Sequence, residues 1–356
     1  MSISLTTYAD LSGIEADTII DVRSEAEFAE DHVPGAINLP ALDDQERARV
    51  GTIYKQQSPF LARKVGAALV ARNVAKHLEG PLAQKEGSWR PVVYCWRGGQ
   101  RSGSVATILR QIGWRTEVIE GGYRAYRRMV SEMLYDAPFP APVLLLDGNT
   151  GTAKTDLLAR VAALGGQVLD LEGLANHRGS LFGWQGAQPA QRAFESALAG
   201  AVAQLDPQRP VLVEAESSKV GQIALPPSLL RAMRAAGRLV IEAPLGARAA
   251  YLVRTYVDVA QDQERLVAVL EKLRPMHGHD KIESWLALAR QGELEALAGD
   301  LMASHYDPRY EKTRARHAGL EDVSLEAPSL DAADLDALAK RILAAMQSAR
   351  IAVPHL

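Results

Sequence analysis

An apolar run, Val143-Leu144-Leu145-Leu146, ends in Asp147 and enters Gly148-Asn149-Thr150-Gly151-Thr152-Ala153-Lys154-Thr155. The run reads as a strand, and the residues after Thr155 read as a helix to about Leu164. A glycine-bearing loop between a strand and a helix is the setting a phosphate-binding loop requires. Its successive N–H groups wrap a phosphate, Lys154 supplies charge, and the Thr155 hydroxyl can hold Mg²⁺. The glycine usual before the lysine is Ala153. A helical backbone there tolerates alanine, so phosphate binding is expected ahead of ATP turnover.

Further strands are expected at Gln167 to Glu172, Pro210 to Lys219 and Leu239 to Glu242. Acids at strand C-termini lie near the ligand crevice of an open α/β sheet, so Glu214 or Glu216 is expected to support Mg²⁺ or orient Lys154. The competing reading is solvated acids at strand ends. His177 and Arg178 fall in a polar, glycine-bearing loop that suits anion or tRNA contact, although a lone histidine is more often structural. From Leu245 onward the chain reads as helical. Met276-His277-Gly278-His279-Asp280 interrupts it as a solvated turn rather than a metal site, so no structural metal is expected.

The single cysteine stands in Val92-Val93-Tyr94-Cys95-Trp96-Arg97-Gly98-Gly99-Gln100-Arg101-Ser102, again a buried strand followed by a loop and a helix. Backbone N–H groups, a helix N-terminus and the guanidinium groups of Arg97 and Arg101 all favour thiolate over thiol. The cradle of Arg97, Gly98, Gly99 and Arg101 suits an oxyanion. A buried structural cysteine is the commoner fate, but an apolar core site needs neither glycines nor arginines. Upstream, Thr18 to Arg23 reads as a strand, Glu25 to Glu30 as helical turns and Leu61 to Leu78 as a helix. Thr116 to Ile119 reads as a strand and Tyr123 to Leu134 as a helix. Alternating strands and helices make this an α/β region with a parallel sheet.

Asp136 to Pro142 is proline-rich and reads as a stiff linker. It divides the 356 residues into 1–135 around Cys95 and 143–356 around the phosphate loop, the latter with a helical C-terminal part. One cysteine excludes an internal disulfide. The N-terminus lacks a basic and apolar leader, and no apolar run is long enough to span a bilayer. A cytoplasmic protein with no membrane partner is expected.

The net charge of −3 conceals an arginine-rich block from Arg90 to Arg128, including Arg124, Arg127 and Arg128. It is interleaved with Trp96, Trp114, Tyr123 and Tyr126. That composition suits RNA backbone contact with base stacking, or equally a solvated face. His305 to His317, with Arg309, Lys312 and Arg314, is a second basic and aromatic stretch of the same kind.

Asp21-Val22-Arg23, then His32-Val33-Pro34-Gly35-Ala36, then the Cys95 loop resemble a rhodanese domain. The resemblance implies that Cys95 carries a chalcogen atom and that Asp21, Arg23 and His32 are structural. Cys95 to Arg101 is one residue longer than the commonest sulfurtransferase loop, which suits a tetrahedral anion. With Gly148 to Thr155, HRGSLFG, EAESSKVG and SHYDPRYEK following in order, the whole chain closely resembles the bacterial tRNA 2-selenouridine synthases. That resemblance implies exchange of sulfur for selenium at C2 of the wobble 2-thiouridine in tRNAs for Lys, Glu and Gln. It implies selenophosphate as selenium donor and geranyl diphosphate as donor of a geranyl group to the sulfur. No tightly bound cofactor is implied. The alternative is an ATP-dependent tRNA thiolase using a Cys95 persulfide.

Overall fold

The computed structural model describes residues 2–178, 186–257, 262–315 and 322–348; the side chains of 313–315 are outside the description. The chain separates into two units, Met1–Pro138 with Pro189–Gln204, and Phe139–Gln188 with Leu205–Leu356. A contiguous second domain over 143–356 does not anticipate the return of residues 189–204 to the first unit.

The first unit holds a five-stranded sheet of order β1-β5-β4-β2-β3, comprising β1 (Ser2–Ile3), β5 (Glu117–Ile119), β4 (Pro91–Tyr94), β2 (Thr18–Asp21) and β3 (Ile37–Asn38). Every pairing is parallel, with Ile20 opposite Val93 and Val93 opposite Val118. All four β4 residues are buried, as an apolar run inside a helix-covered parallel sheet must be. Helix α3 (Pro59–Glu79) starts with Ser58 as N-cap and proline in its first turn, and buries Leu69, Val70 and Val74. These residues join Ile20, Val22, Val93, Val105 and Leu109 in one core that also contains Cys95. Helix α2 (Asp44–Gln56), with an Asp43–Glu46 capping box, has no buried residue, and no apolar stripe announced it.

The second unit holds a parallel sheet of order β12-β11-β6-β8-β7: β12 (Asp322–Glu326), β11 (Gly237–Glu242), β6 (Val143–Gly148), β8 (Val211–Glu214) and β7 (Gln167–Leu169). Strand β6 is central, so its C-terminal end opens where strands leave in both directions, the usual crevice of such sheets. Helix α6 (Lys154–Ala163) and the C-terminal helix Ala332–Ser348 pack Leu157, Leu158, Val161, Leu338 and Ile342 against Leu146, Leu212 and Leu239. A separate core of Leu270, Ile282, Trp285, Leu286 and Leu297 holds the helical region together. Strand β7 stops at Leu169: Asp170 caps the short helix Leu171–Leu174, which carries Glu172, so these acids are not strand residues as expected. Gly278 (φ 77°) kinks the helical stretch Arg274–Gln291 where the His277 turn was expected.

Candidate active site

Cys95 leaves β4 and sits beneath the N-terminus of helix α4 (Gln100–Ile112), only 4% exposed. Two glycines fix this loop. Gly98 has φ 65°, and a Cβ on it would stand 2.6 Å from the Ile119 carbonyl; a Cβ on Gly122 (φ 56°) would overlap the Cys95 carbonyl. The loop therefore rests on the start of helix α5 (Gly122–Ser131), where Tyr123 N–H donates to Cys95 O at 2.8 Å and Arg124 N–H to Trp96 O at 3.1 Å.

Burial pushes the Cys95 thiol up, but hydrogen bonds to the thiolate outweigh it and the net shift is downward. The donors are the Ser102 hydroxyl, 3.2 Å from Sγ, and the backbone N–H groups of Ser102, Arg97 and Gly99. The sequence reading added the guanidinium groups of Arg97 and Arg101 to these backbone donors. The structure ties Arg101 to Glu27 at 2.9 Å and leaves the Arg97 side chain exposed. Activation thus comes from aligned dipoles and one hydroxyl, and Ser102 is the residue that sequence reasoning passed over. Asp21 and Arg23 form a buried bidentate pair that also reaches Asp31 O, which is a structural role. His32 bonds Phe28 O at 3.0 Å and stacks on Phe28, also structural.

The arginine block divides. Arg124 and Arg128 are exposed, whereas Arg127 pairs with the buried Glu195 of helix α8 (Gln191–Val202). Trp114, Tyr123 and Tyr126 are core residues at 7%, 2% and 0% exposure, so the expectation that they stack on bases is overturned. Tyr123, Tyr126, Met129 and Val130 of α5 face inward at i, i+3 and i+4 spacing, so its aromatic side chains lie on the buried face.

In the second unit the loop Gly148–Ala153 curves around the N-terminus of α6. Gly148 (φ 154°) has no room for a Cβ beside Thr152, and Gly151 (φ 85°) lies against Arg248 and Leu252. Ala153 does not take the helical backbone expected of it. It is left-handed (φ 60°, ψ 28°), so an L-residue occupies a conformation that favours glycine. Lys154 Nζ donates to Gly148 O at 2.9 Å. Burial opposes the Lys154 charge, but Tyr310, Glu172, Glu216 and Glu214 hold its pKa above the ordinary value.

The strand-end acids do converge here. Thr155 Oγ1 lies within hydrogen-bond distance of both Glu214, at 2.9 Å, and Glu172, at 3.0 Å, and its one hydrogen can go to either. Burial, then repulsion from Glu214 and Glu216, raises the pKa of Glu172; burial, then repulsion from Asp170 and Glu216, raises that of Glu214; Glu216, hydrogen-bonded to Glu172, is raised by burial. Among the described residues, no group of three or more His, Cys, Asp or Glu is arranged to hold a metal ion. The loop opens into a pocket of about 830 Å³ lined also by Glu172, Arg178, Tyr251, Leu252, Tyr256 and Tyr310. Arg178 lies 4.5 Å from the centroid of the Tyr256 ring, and His177 stands next to it, half-buried with a pKa lowered by burial. Residues 179–183 of HRGSLFG, and the side chain of Arg314, lie outside the described residues.

Arg309 and Lys312 are exposed, and Arg309 donates to His305 at 2.7 Å. His305 is buried and pushed down to about 4 by burial, Arg309 and His277, so it is neutral at pH 7. Sequence reasoning missed Glu172, Arg248, Asp307 and Tyr310 at this site; only Glu172, in an acid run beside a strand, carried a local signal.

The family model described as a rhodanese-like domain matches residues 4–129, and the model described as the tRNA 2-selenouridine synthase AAA domain matches 141–284. A tRNA 2-selenouridine synthase of Hahella chejuensis is 35% identical over 326 residues, covering 82% of this chain and 84% of that protein. The chain belongs to the tRNA 2-selenouridine synthase family. The Alcanivorax borkumensis member of that family is 34% identical over 334 residues, covering 85% of this chain and 90% of that protein. The Shewanella halifaxensis member is 39% identical over 250 residues, 67% of this chain and 66% of that protein. This tRNA 2-selenouridine synthase family member is therefore an α/β enzyme that modifies tRNA, with a rhodanese unit and a phosphate-loop unit. No helix among the described residues is long and apolar enough to cross a membrane.

Proposed function

We propose that the two units divide the synthesis of 2-selenouridine into two transfers, acting on the wobble uridine of tRNAs for Lys, Glu and Gln. At the phosphate loop, the 2-thio sulfur attacks C1 of geranyl diphosphate, the C–O bond breaks and pyrophosphate leaves. Backbone N–H groups of Gly151 to Lys154 and the Lys154 ammonium take up the leaving charge. The phosphate oxygens and the Thr155–Glu214 pair supply the hard oxygen donors that Mg²⁺ prefers, and such an ion would neutralise crowded carboxylates. At the other site the Cys95 thiolate attacks the phosphorus of selenophosphate and the P–Se bond breaks. The freed selenide attacks C2 of the uridine, the C–S bond breaks and geranylthiolate leaves, and water then releases phosphate from Cys95. Arg178 and the exposed Arg124, Arg128, Arg309 and Lys312, with Arg314, are the candidates for tRNA contact.

The observation that carries this reading is a thiol of lowered pKa in one unit and a lysine-bearing phosphate loop in the other. The test is nucleoside mass spectrometry on 2-thiouridine tRNA incubated with geranyl diphosphate and selenophosphate. Cys95→Ala is expected to stop at the geranylated nucleoside and Lys154→Ala before it. The reverse pattern would exchange the two assignments.

A further inference from the structure

The SHYDPRYEK stretch was expected on an RNA surface, yet two of its residues turn to the phosphate loop. Arg248, only 6% exposed, donates from Nη2 to Asp307 Oδ2 at 2.8 Å and from Nη1 to Asp307 Oδ1 at 2.9 Å. The same Nη1 donates to the Thr150 carbonyl at 3.2 Å, inside the loop. Gly151 is moulded to this partner: a Cβ there would lie 3.0 Å from Arg248 O. Asp307 and Tyr310 are one helical turn apart in the helix Asp307–Ala315, so fastening the first positions the second. Tyr310 lines the pocket beside Lys154, whose Nζ stands 5.4 Å from the ring centroid, within cation–π range.

We propose that the Asp307–Tyr310 turn completes the phosphate site. Asp307, through Arg248, fixes the loop at Thr150, and the Tyr310 ring holds the Lys154 ammonium at the pocket. Tyr310 is thus a positioning residue for a diphosphate-bearing substrate. Without the ring, the ammonium would be left to Gly148 O and the acid cluster, and would have to be pulled from them by the ligand. The proposal rests on the reading of this loop as the diphosphate site.

The experiment is calorimetric titration of the full chain with inorganic pyrophosphate, using wild type, Tyr310→Phe, Tyr310→Leu, Lys154→Ala and the double variant Lys154→Ala/Tyr310→Leu. Thermal melts establish that each is folded. Phe keeps the ring and is expected within about twofold of wild type, while Leu is expected to weaken binding about two- to thirty-fold. Because the ring acts through the ammonium, Leu should cost nothing further once Lys154 is gone. Wild-type affinity in Tyr310→Leu would overturn the role of Tyr310 and leave the phosphate-loop reading standing, as would an undiminished Leu effect in the Lys154→Ala background. Pyrophosphate binding to wild type no tighter than to Lys154→Ala would overturn both. Asp307→Asn, with its thermal melt, tests the fastening separately: binding as in wild type would overturn the role of Asp307.

Discussion

Two single residues in this chain carry more consequence than their size suggests. Ser102 is a hydroxyl donor to a buried sulfur, and hydrogen bonds to a thiolate favour the charged form. Because the Cys95 pKa is lowered, thiolate persists below the pH at which a free cysteine protonates. Ser102→Ala removes one donor, so the midpoint of the pH–rate curve for alkylation by iodoacetamide is expected to move up, and the rate at neutral pH to fall. An unmoved midpoint would leave the backbone N–H groups as the whole cause. Ala153 is the opposite case, a side chain where none is wanted. Left-handed backbone costs an L-residue about 1–2 kcal/mol, partly offset by the greater freedom of glycine in the unfolded chain. Ala153→Gly is therefore expected to stabilise the protein by up to about 1 kcal/mol in urea unfolding, with pyrophosphate binding retained.

At the scale of elements, both sites are strand–loop–helix units whose loops are closed by a second element. For the Cys95 loop that element is the start of α5, and Gly122→Ala would drive a methyl into the Cys95 carbonyl. Backbone must move to admit it, so a loss of several kcal/mol, about 2–4 by analogy with other strained substitutions, is expected in denaturant unfolding. For the phosphate loop the second element is the end of β8 with the helix that follows β7, which crowd Glu172 and Glu214 together. Their folded pKa values are raised, so between the unfolded value and the folded one the native state binds more protons. Stability then falls as pH rises from about 4.5 through the folded values, and the loss is complete above them. The expected outcome is a melting temperature that drops across this window, with a shallower drop in Glu172→Gln.

The same scale shows what could be read beforehand. The Cys95 and Gly148–Thr155 loops were legible because glycine, arginine and lysine at fixed offsets between apolar runs encode local geometry. Arg248 and Asp307 were not, since they lie 59 residues apart and meet only through the tertiary fold. Tyr123 and Tyr126 were misread because an aromatic residue beside arginines has the same composition on a surface or on the inner face of an amphipathic helix. Helix α2 was missed for want of any buried face.

For the whole molecule, the consequential fact is that residues 189–204 belong with the first unit although both flanks belong to the second. Helix α8 is bound there by specific polar contacts. Ser196 Oγ donates to Asp31 at 2.9 Å, Asp31 also accepts from Tyr123 OH at 2.7 Å, and Tyr135 OH donates to Glu195 at 2.7 Å. Burial raises the Asp31 pKa despite these hydrogen bonds, so it depends on its donors. Tyr123 in turn donates its N–H to the Cys95 carbonyl, which joins α8 to the floor of the reactive loop through one residue. The rhodanese unit is therefore incomplete at Pro138. A fragment 1–138 is expected to be less stable to urea than the same fragment joined through a flexible linker to 189–204. Within the full chain, Glu195→Ala leaves the partly buried Arg127 charge without its paired carboxylate, with Asp31 still nearby. At about 20% exposure for the arginine, the expected loss is near the lower end for a broken buried pair, about 3 kcal/mol. If the two fragments unfold at the same urea concentration, α8 contributes nothing to the unit that carries Cys95. If the linked fragment is more stable and its Cys95 alkylates with the pH profile of the full chain, the segment between the two halves of the phosphate-loop unit is part of the unit that carries Cys95.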